Sequence, residues 1–195
     1  MAMKTATTSH EYLAVPQRIV HADASNFAAG ISKRDAYAQV LDQAAALFHE
    51  QRNWVCNLSN TASLLYHLHH SLPSPSSSVN WAGFYVLDPS SSRKPSLILG
   101  PFMGKVACQT IAFGRGVCGT AAQEARTVLV PDVEEFPGHI ACDGDSRSEI
   151  VVPIVQGGVV KAIIDIDCAE KNCFDEEDRV ALEKLAALLA ESCDF

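Results

Sequence analysis

The stretch "EIVVPIVQGGVVKAIIDID", residues 149–167, determines how the rest of the chain can fold. Two runs of β-branched residues, 149–155 and 159–167, flank the dipeptide Gly157–Gly158. Glycine pairs form the tight turns of hairpins because they adopt positive φ without strain. The stretch therefore predicts two adjacent antiparallel strands at the centre of a sheet.

Working outward from this hairpin, the hydrophobic period alternates between that of helices and that of strands. Helices are predicted at 33–51, 54–71, 117–125 and 174–193, with Asp175 as the N-cap of the last. Further strands are predicted at 79–88, 97–102 and 127–133, and 105–114 could begin extended. This order predicts one α+β domain at 34–195, with its strands between N-terminal and C-terminal helices. Residues 1–33 show no sustained period and are expected to form an extended or partly disordered arm.

The composition excludes several classes of function. The 195 residues carry a formal net charge of −8, which argues against nucleic acid or an anionic membrane as the main partner. No apolar run reaches the roughly 20 residues that span a bilayer, and the N-terminus lacks the apolar core of a signal peptide. These features predict a cytoplasmic protein.

Seven cysteines, an odd number, suggest packing, metal binding or redox chemistry in a reducing compartment rather than a disulfide framework. No CxxC or CxxH pair is present, so no structural zinc site is expected. Cys118, in "GRGVCGT", follows Arg115 near a predicted helix N-terminus, where a thiol pKa should be depressed. The alternative is that Cys118 packs as a small apolar residue.

Cys142 lies in a long polar loop, 134–148, next to Asp143 and other acids. Acids raise the pKa of a neighbouring thiol, but they can also protonate an oxygen that a substrate brings. Cys142 is therefore either a reagent or an inert loop residue. His139 is three residues from Cys142. The two residues could form a Cys–His nucleophilic pair, but a histidine that orders the loop is favoured.

Side chains of equal parity on two predicted strands project to a common face. Trp81 and Tyr85 share one face and could enclose a methyl group on a polarised sulfur, or could be core aromatics. Asp165 and Asp167 share a face opposite Ile164 and Ile166, and could grip an ammonium group or simply face solvent.

Five segments in this order resemble the free methionine-(R)-sulfoxide reductases, enzymes built on a GAF domain. The segments are "NWAGFY" (80–85), "LGPFMGKVAC" (99–108), "GRGVCGTAA" (114–122), "VPDVEEFPGHIACDGDSRSEIVVPI" (130–154) and "IIDIDC…FDEED" (163–178). The resemblance implies a GAF fold, in which a central antiparallel sheet is flanked by N-terminal and C-terminal helices. It also implies reduction of free L-methionine (R)-S-oxide to methionine, and recycling by thioredoxin at the expense of NADPH. It implies no metal and no bound cofactor.

The resemblance also implies residue roles. Cys142 would attack the sulfoxide sulfur, Cys108 would resolve the resulting sulfenic acid, and Cys118 would be an additional redox or resolving thiol. Glu149 would donate a proton to the departing oxygen. The substrate would be bound by Trp81, Tyr85, Asp143, Glu149, Asp165 and Asp167, and the loop 134–148 would close over it.

The main alternative is a GAF domain that senses a small molecule without catalysis, and a bilin-binding domain is a further one. Three thiols in the segments of the pocket favour the enzyme. A homodimer is compatible with the sequence, which does not determine the oligomeric state.

Overall fold

The computed structural model describes residues 25–91, 94–139 and 144–195. Its helices are α1 (Lys33–Phe48), α2 (Trp54–Ser71), α3 (Gly116–Glu124) and α4 (Glu176–Ser192). Its strands are β1 (Val79–Leu87), β2 (Ser96–Gly104), β3 (Thr110–Ala112), β4 (Val128–Val130), β5 (Ser148–Gln156) and β6 (Val159–Cys168). Most of the predicted domain 34–195 is thus described, whereas most of the predicted arm, residues 1–24, lies outside the described residues.

The six strands form one antiparallel sheet in the order β3-β2-β1-β6-β5-β4. The β5–β6 hairpin turns at Gly157 and Gly158, whose φ angles are +60° and +79°. Its register pairs Glu149 with Asp167 and Val151 with Asp165. The prediction of an α+β fold around this hairpin is confirmed.

The two faces of the sheet are covered differently. The larger core lies between one face and the helices α1, α2 and α4, and it contains Phe84, Ile150 and Ile164. The opposite face packs against α3 and holds a smaller cluster that includes Trp81, Tyr85 and Cys118. Because strand side chains alternate, most even-numbered residues of β1, β5 and β6 enter the larger core and most odd-numbered ones face α3. Val79 and Val160, next to register shifts, are the exceptions.

Local sequence fixes where the helices begin. Ser32 caps α1 by accepting a hydrogen bond from the Asp35 amide at 3.1 Å, and Asn53 caps α2. Asp175 caps α4 as predicted, and Asp178 completes a capping box by accepting from the Asp175 amide.

Some details of the predicted elements are wrong. Helix α1 ends at Phe48 rather than 51, because His49 leaves the helical conformation and Glu50 has a φ of +59°. The helical periods of 54–71 and 174–193 also predict that Val55 and Val180 are buried, but they are 46% and 41% exposed. No helix among the described residues has the length and apolar character needed to cross a membrane.

Candidate active site

A cavity of about 250 Å³ opens on the α3 face of the sheet. Strands β5 and β6 form its floor, α3 forms one wall, and β3 with the segment before it forms another. Thiols, acids and a histidine line it: Cys108, Cys118, His139, Glu149, Asp165 and Asp167.

The hairpin positions the three acids. Glu149, Asp165 and Asp167 have odd numbers, so all three project from the sheet toward α3 rather than into the larger core. Glu149 and Asp165 are only 6% and 5% exposed. Asp165 and Asp167 therefore share a face, as the sequence predicted, but that face is a buried cavity rather than a solvated surface.

Helix α3 brings Cys118 against these acids. Gly119 permits α3 to lie close to β3, because a Cβ there would lie 2.3 Å from the carbonyl oxygen of Ala112. The Cys118 thiol donates a hydrogen bond to Glu149 Oε1 at a distance of 3.5 Å. Both side chains are buried.

Burial governs the protonation of this group. Desolvation, reinforced by the charges of Asp165 and Asp167, raises the pKa of Glu149 well above its ordinary range. Desolvation raises the pKa of Asp165 to about 6 against hydrogen bonds from Cys118 and Glu149 that lower it. The shift favours the carboxylic acid form of Glu149, which can donate a proton.

The prediction of a depressed pKa for Cys118 is wrong. Burial, followed by the charges of Asp165 and Glu149, raises the pKa of this thiol well above its ordinary value. Cys118 lies in the first turn of α3, as predicted, but desolvation and two acids outweigh the helix dipole. This thiol is protonated at neutral pH.

Two further groups complete the polar lining. His139 Nε2 lies 3.8 Å from Glu149 Oε2, and burial lowers the pKa of His139, which favours the neutral imidazole. Asp165 Oδ1 is buried and has no hydrogen-bond partner among the described residues. Buried carboxylate oxygens are rarely left unpaired, so this atom points to a ligand with a donor group.

Trp81 and Tyr85 lie on the same face of the sheet, as predicted. Their rings stack with centroids 5.8 Å apart, and Trp81 also stacks on Phe102 at 5.2 Å. Gly83 lies between them, where a Cβ would lie 2.7 Å from the Trp81 ring. Both aromatic residues are buried beside the cavity rather than among the described residues that line it.

Of the two remaining thiols of the predicted site, the structure describes Cys108 but not Cys142. Cys108 lines the cavity and is disulfide-bonded, while Cys56, Cys118, Cys168, Cys173 and Cys193 are free. Cys142 and Asp143, the predicted nucleophile and its acidic neighbour, lie outside the described residues.

Sequence reasoning missed part of the lining. Thr110, Ile111 and Ala112 of β3, together with Arg115 and Ser146, also border the cavity. No motif marks the first three, which reach the site only because β3 pairs with the edge of β2. A metal could be held by Cys118, Glu149 and Asp165, whose ligand atoms all lie within 4.8 Å of one another.

Comparisons with known proteins agree with this geometry. The GAF domain family model matches residues 74–192. The chain is 51% identical to the free methionine-R-sulfoxide reductase of Saccharomyces cerevisiae over 90% of this chain and 95% of that protein. It is 39% identical to the Escherichia coli protein of the same name, over 82% and 89%.

A solved structure shares the fold closely. The free methionine-R-sulfoxide reductase of Neisseria meningitidis, in complex with its substrate, superimposes with a TM-score of 0.76 at 40% identity, covering 86% of this chain and 93% of that one. Each of these relatives is at least 39% identical to this chain over more than four fifths of both sequences, which is sufficient to show family membership. The chain belongs to the GAF-domain family and, within it, to the free methionine-R-sulfoxide reductases.

Proposed function

We propose that this chain reduces free methionine (R)-sulfoxide to methionine, using cysteine thiols as the source of electrons. The relatives named above are reductases of this substrate, and they match nearly the full length of the chain. The observation that carries the proposal is the buried Glu149, whose pKa burial raises, in a cavity lined by thiols. A sulfoxide oxygen must gain protons as it leaves sulfur, and Glu149 is the acid that supplies the first.

The acids of the hairpin suit a free amino acid as substrate. Asp165 Oδ1 is buried without a partner among the described residues, and Asp167 lies on the same face. Together with Asp143 they bind the substrate's ammonium group, which supplies a positive charge to these acids. Trp81 and Tyr85 support the methyl group and the positively polarised sulfur from the adjoining part of the sheet.

The thiol chemistry begins at Cys142. Its sulfur attacks the sulfoxide sulfur, and Glu149 protonates the sulfoxide oxygen. The hydroxyl group then transfers to the Cys142 sulfur as its bond to the methionine sulfur breaks. The bond between the two sulfurs also breaks, so methionine leaves with the electron pair and Cys142 becomes a sulfenic acid. The Cys108 thiol then displaces water from that sulfenic acid and forms a disulfide. In support, Cys108 is disulfide-bonded whereas the five other described cysteines are free.

Cys118 has a different part in this scheme. Its raised pKa makes it a poor nucleophile, which favours Cys142 over Cys118 for the attack. As a free thiol in the same cavity, Cys118 serves as an additional resolving group. Thioredoxin, regenerated by NADPH, reduces the disulfide by thiol exchange. Within this chain, electrons pass to the substrate only through cysteine thiols, so the scheme requires neither a metal nor a bound organic cofactor.

The test is NADPH oxidation in the presence of thioredoxin and thioredoxin reductase, with the free R and S sulfoxides offered separately. We expect turnover of the R epimer alone, loss of turnover in Cys142→Ser, and full activity in the control Cys56→Ser, whose cysteine is exposed and free. Turnover that survives in Cys142→Ser would assign the attack to another thiol. An absence of turnover with both epimers would favour a GAF domain that senses a ligand without catalysis.

A further inference from the structure

We propose that the cavity also binds one thiophilic divalent cation, for which Zn²⁺ is the probe, through Cys118 Sγ and carboxylate oxygens of Glu149 and Asp165, with a water molecule as the fourth ligand. The cation is an inhibitor of the site and not a cofactor. The binding part of this proposal is independent of the proposed function, whereas the inhibition part rests on it.

The spacing of the ligand atoms fits a tetrahedral ion. Cys118 Sγ, a Glu149 oxygen and an Asp165 oxygen lie within 4.8 Å of one another, and the Cys118–Glu149 distance is 3.5 Å. Bonds of about 2.3 Å to sulfur and about 2.1 Å to oxygen hold two tetrahedral zinc ligands roughly 3.6 Å apart. The three atoms therefore need only small side-chain rotations to share one ion.

Water completes the tetrahedron, because His139 lies beside the cluster and is not one of the three residues whose ligand atoms lie within 4.8 Å of one another. Its Nε2 lies 3.8 Å from the second Glu149 oxygen, and its side chain is only 16% exposed.

The chemistry of the ligands selects the metal. Calcium and magnesium require six or more oxygen ligands, counting waters, whereas zinc accepts sulfur, nitrogen and oxygen in a four-coordinate site. Thiolate sulfur strengthens the preference for zinc over the harder ions.

An independent observation also indicates a cation at this point. Asp165 Oδ1 is buried and unpartnered, and no ion pair among the described residues joins a lysine or arginine to Glu149 or Asp165. A divalent ion offsets the charge of Asp165 and of a newly ionised Cys118, while the thiol and Glu149 release their protons to solvent. Bound there, the ion occupies the place of the substrate's ammonium group and removes the proton that Glu149 would donate.

The experiment titrates the full chain with Zn²⁺ against a chromogenic chelator, and with Co²⁺ under an absorption spectrometer. The chain is used with Cys108 in its disulfide, so that Cys108 cannot bind the ion. We expect one Zn²⁺ per chain and a thiolate-to-cobalt charge-transfer band. Cys118→Ser should abolish that band and raise the zinc Kd by more than about tenfold, Asp165→Asn should raise it by about tenfold, and Cys56→Ser should change neither.

Other outcomes overturn the proposal. Equal zinc affinity in wild type and Cys118→Ser, or a cobalt spectrum without the thiolate band in the wild type, would show that this cluster binds no metal. Since the wild-type spectrum is decisive by itself, a variant that fails to fold does not obscure the result. In the reductase assay, with thioredoxin activity checked separately, undiminished turnover at saturating Zn²⁺ would refute the inhibition. Zinc binding through Cys118 in a chain without reductase activity would refute the proposed function and leave the metal site standing.

Discussion

Buried carboxyl groups lie on both faces of the sheet, and they differ in the partners that the chain provides. On the helical face, Asp178 is fully buried and accepts hydrogen bonds from Lys33 Nζ at 2.6 Å and from the Tyr37 hydroxyl at 2.9 Å. On the α3 face, Glu149 and Asp165 are nearly as buried, but their neighbours are a thiol, a neutral histidine and each other.

The electrostatics follow the partners. Burial lowers the pKa of the Lys33 ammonium, but Asp178 and Asp175 more than offset this and raise it. Burial raises the pKa of Asp178, while hydrogen bonds from Lys33 and Tyr37 oppose the rise. Glu149 has no such cation, and its pKa rises far further from its ordinary range.

This difference separates a structural cluster from a functional one. Lys33 and Tyr37 offset part of the cost of burying Asp178, so the chain itself supplies the partners of this acid. Buried acids without a cation are costly to the fold and are characteristic of sites that hold a ligand or transfer a proton. Removing Glu149 on the α3 face should therefore affect mainly activity. Breaking the Lys33–Asp178 pair on the helical face should affect mainly stability.

The largest effect is expected for Glu149→Gln. The amide retains the shape but cannot donate an acidic proton, so kcat/KM for free methionine R-sulfoxide should fall by about 10²- to 10⁴-fold. The midpoint of urea unfolding should stay the same or rise, because an uncompensated buried acid is removed. Coupled NADPH oxidation and a urea titration measure the two quantities.

Glu135→Gln is the matched control for this substitution, because Glu135 is an exposed glutamate in the segment that leads to His139. Its kcat/KM should equal that of the wild type. A Glu149→Gln enzyme with nearly full activity would show that another group protonates the oxygen, and it would remove the functional half of the comparison.

The second effect is a loss of stability on the opposite face. Lys33→Met leaves Asp178 buried without its cation, and breaking such a pair costs about 3–5 kcal/mol of unfolding free energy. The lower end is expected because Lys33 is 18% exposed and Tyr37 still donates to Asp178. Below the unfolding transition, kcat/KM should be unchanged.

Lys184→Met provides the control, since Lys184 is an exposed lysine on α4, the helix that carries Asp178. It should change the unfolding free energy by no more than about 0.5 kcal/mol. A Lys33→Met chain as stable as the wild type would mean that the desolvation of the two charges cancels their attraction. The helical cluster would then resemble the α3 face more than the contacts suggest.

Sequence patterns are sufficient for the type and order of most elements and for two shared faces, that of Trp81 with Tyr85 and that of Asp165 with Asp167. Alternation in "IIDID" placed Asp165 and Asp167 on one face, and the register confirms this for both. The N-cap at Asp175 was readable for the same reason, because capping depends on local neighbours.

Long-range burial could not be read from the sequence. Cys118 has the local neighbours of an activated thiol, and only the packing of α3 over β5 and β6 reveals that its pKa is raised. The pairing of Lys33 with Asp178 spans 145 positions and depends on α1 lying beside α4. Neither a helical period nor a motif contains that information.

The smallest of the three effects concerns how the stability contributed by Asp165 depends on pH. Desolvation raises the pKa of Asp165 from 3.8 to about 6 in the folded chain. Between these values the folded state binds more protons than the unfolded state, so stability falls as pH rises from about 4 to about 6. The loss from this group is about 2–3 kcal/mol, and it is complete above the folded pKa.

Asp165→Asn should abolish this part of the profile, making the variant more stable than the wild type at pH 7 and nearly equal to it near pH 4. Urea unfolding at successive pH values measures the difference, and Asp42→Asn, which alters an exposed acid on α1, should leave the wild-type profile intact. If Asp165→Asn destabilises the chain at pH 7, then Asp165 must be ionised and well paired in the folded protein. Its unpartnered oxygen would then no longer indicate a ligand site. Partners within the folded protein would be stabilising the carboxylate, as Lys33 and Tyr37 do for Asp178.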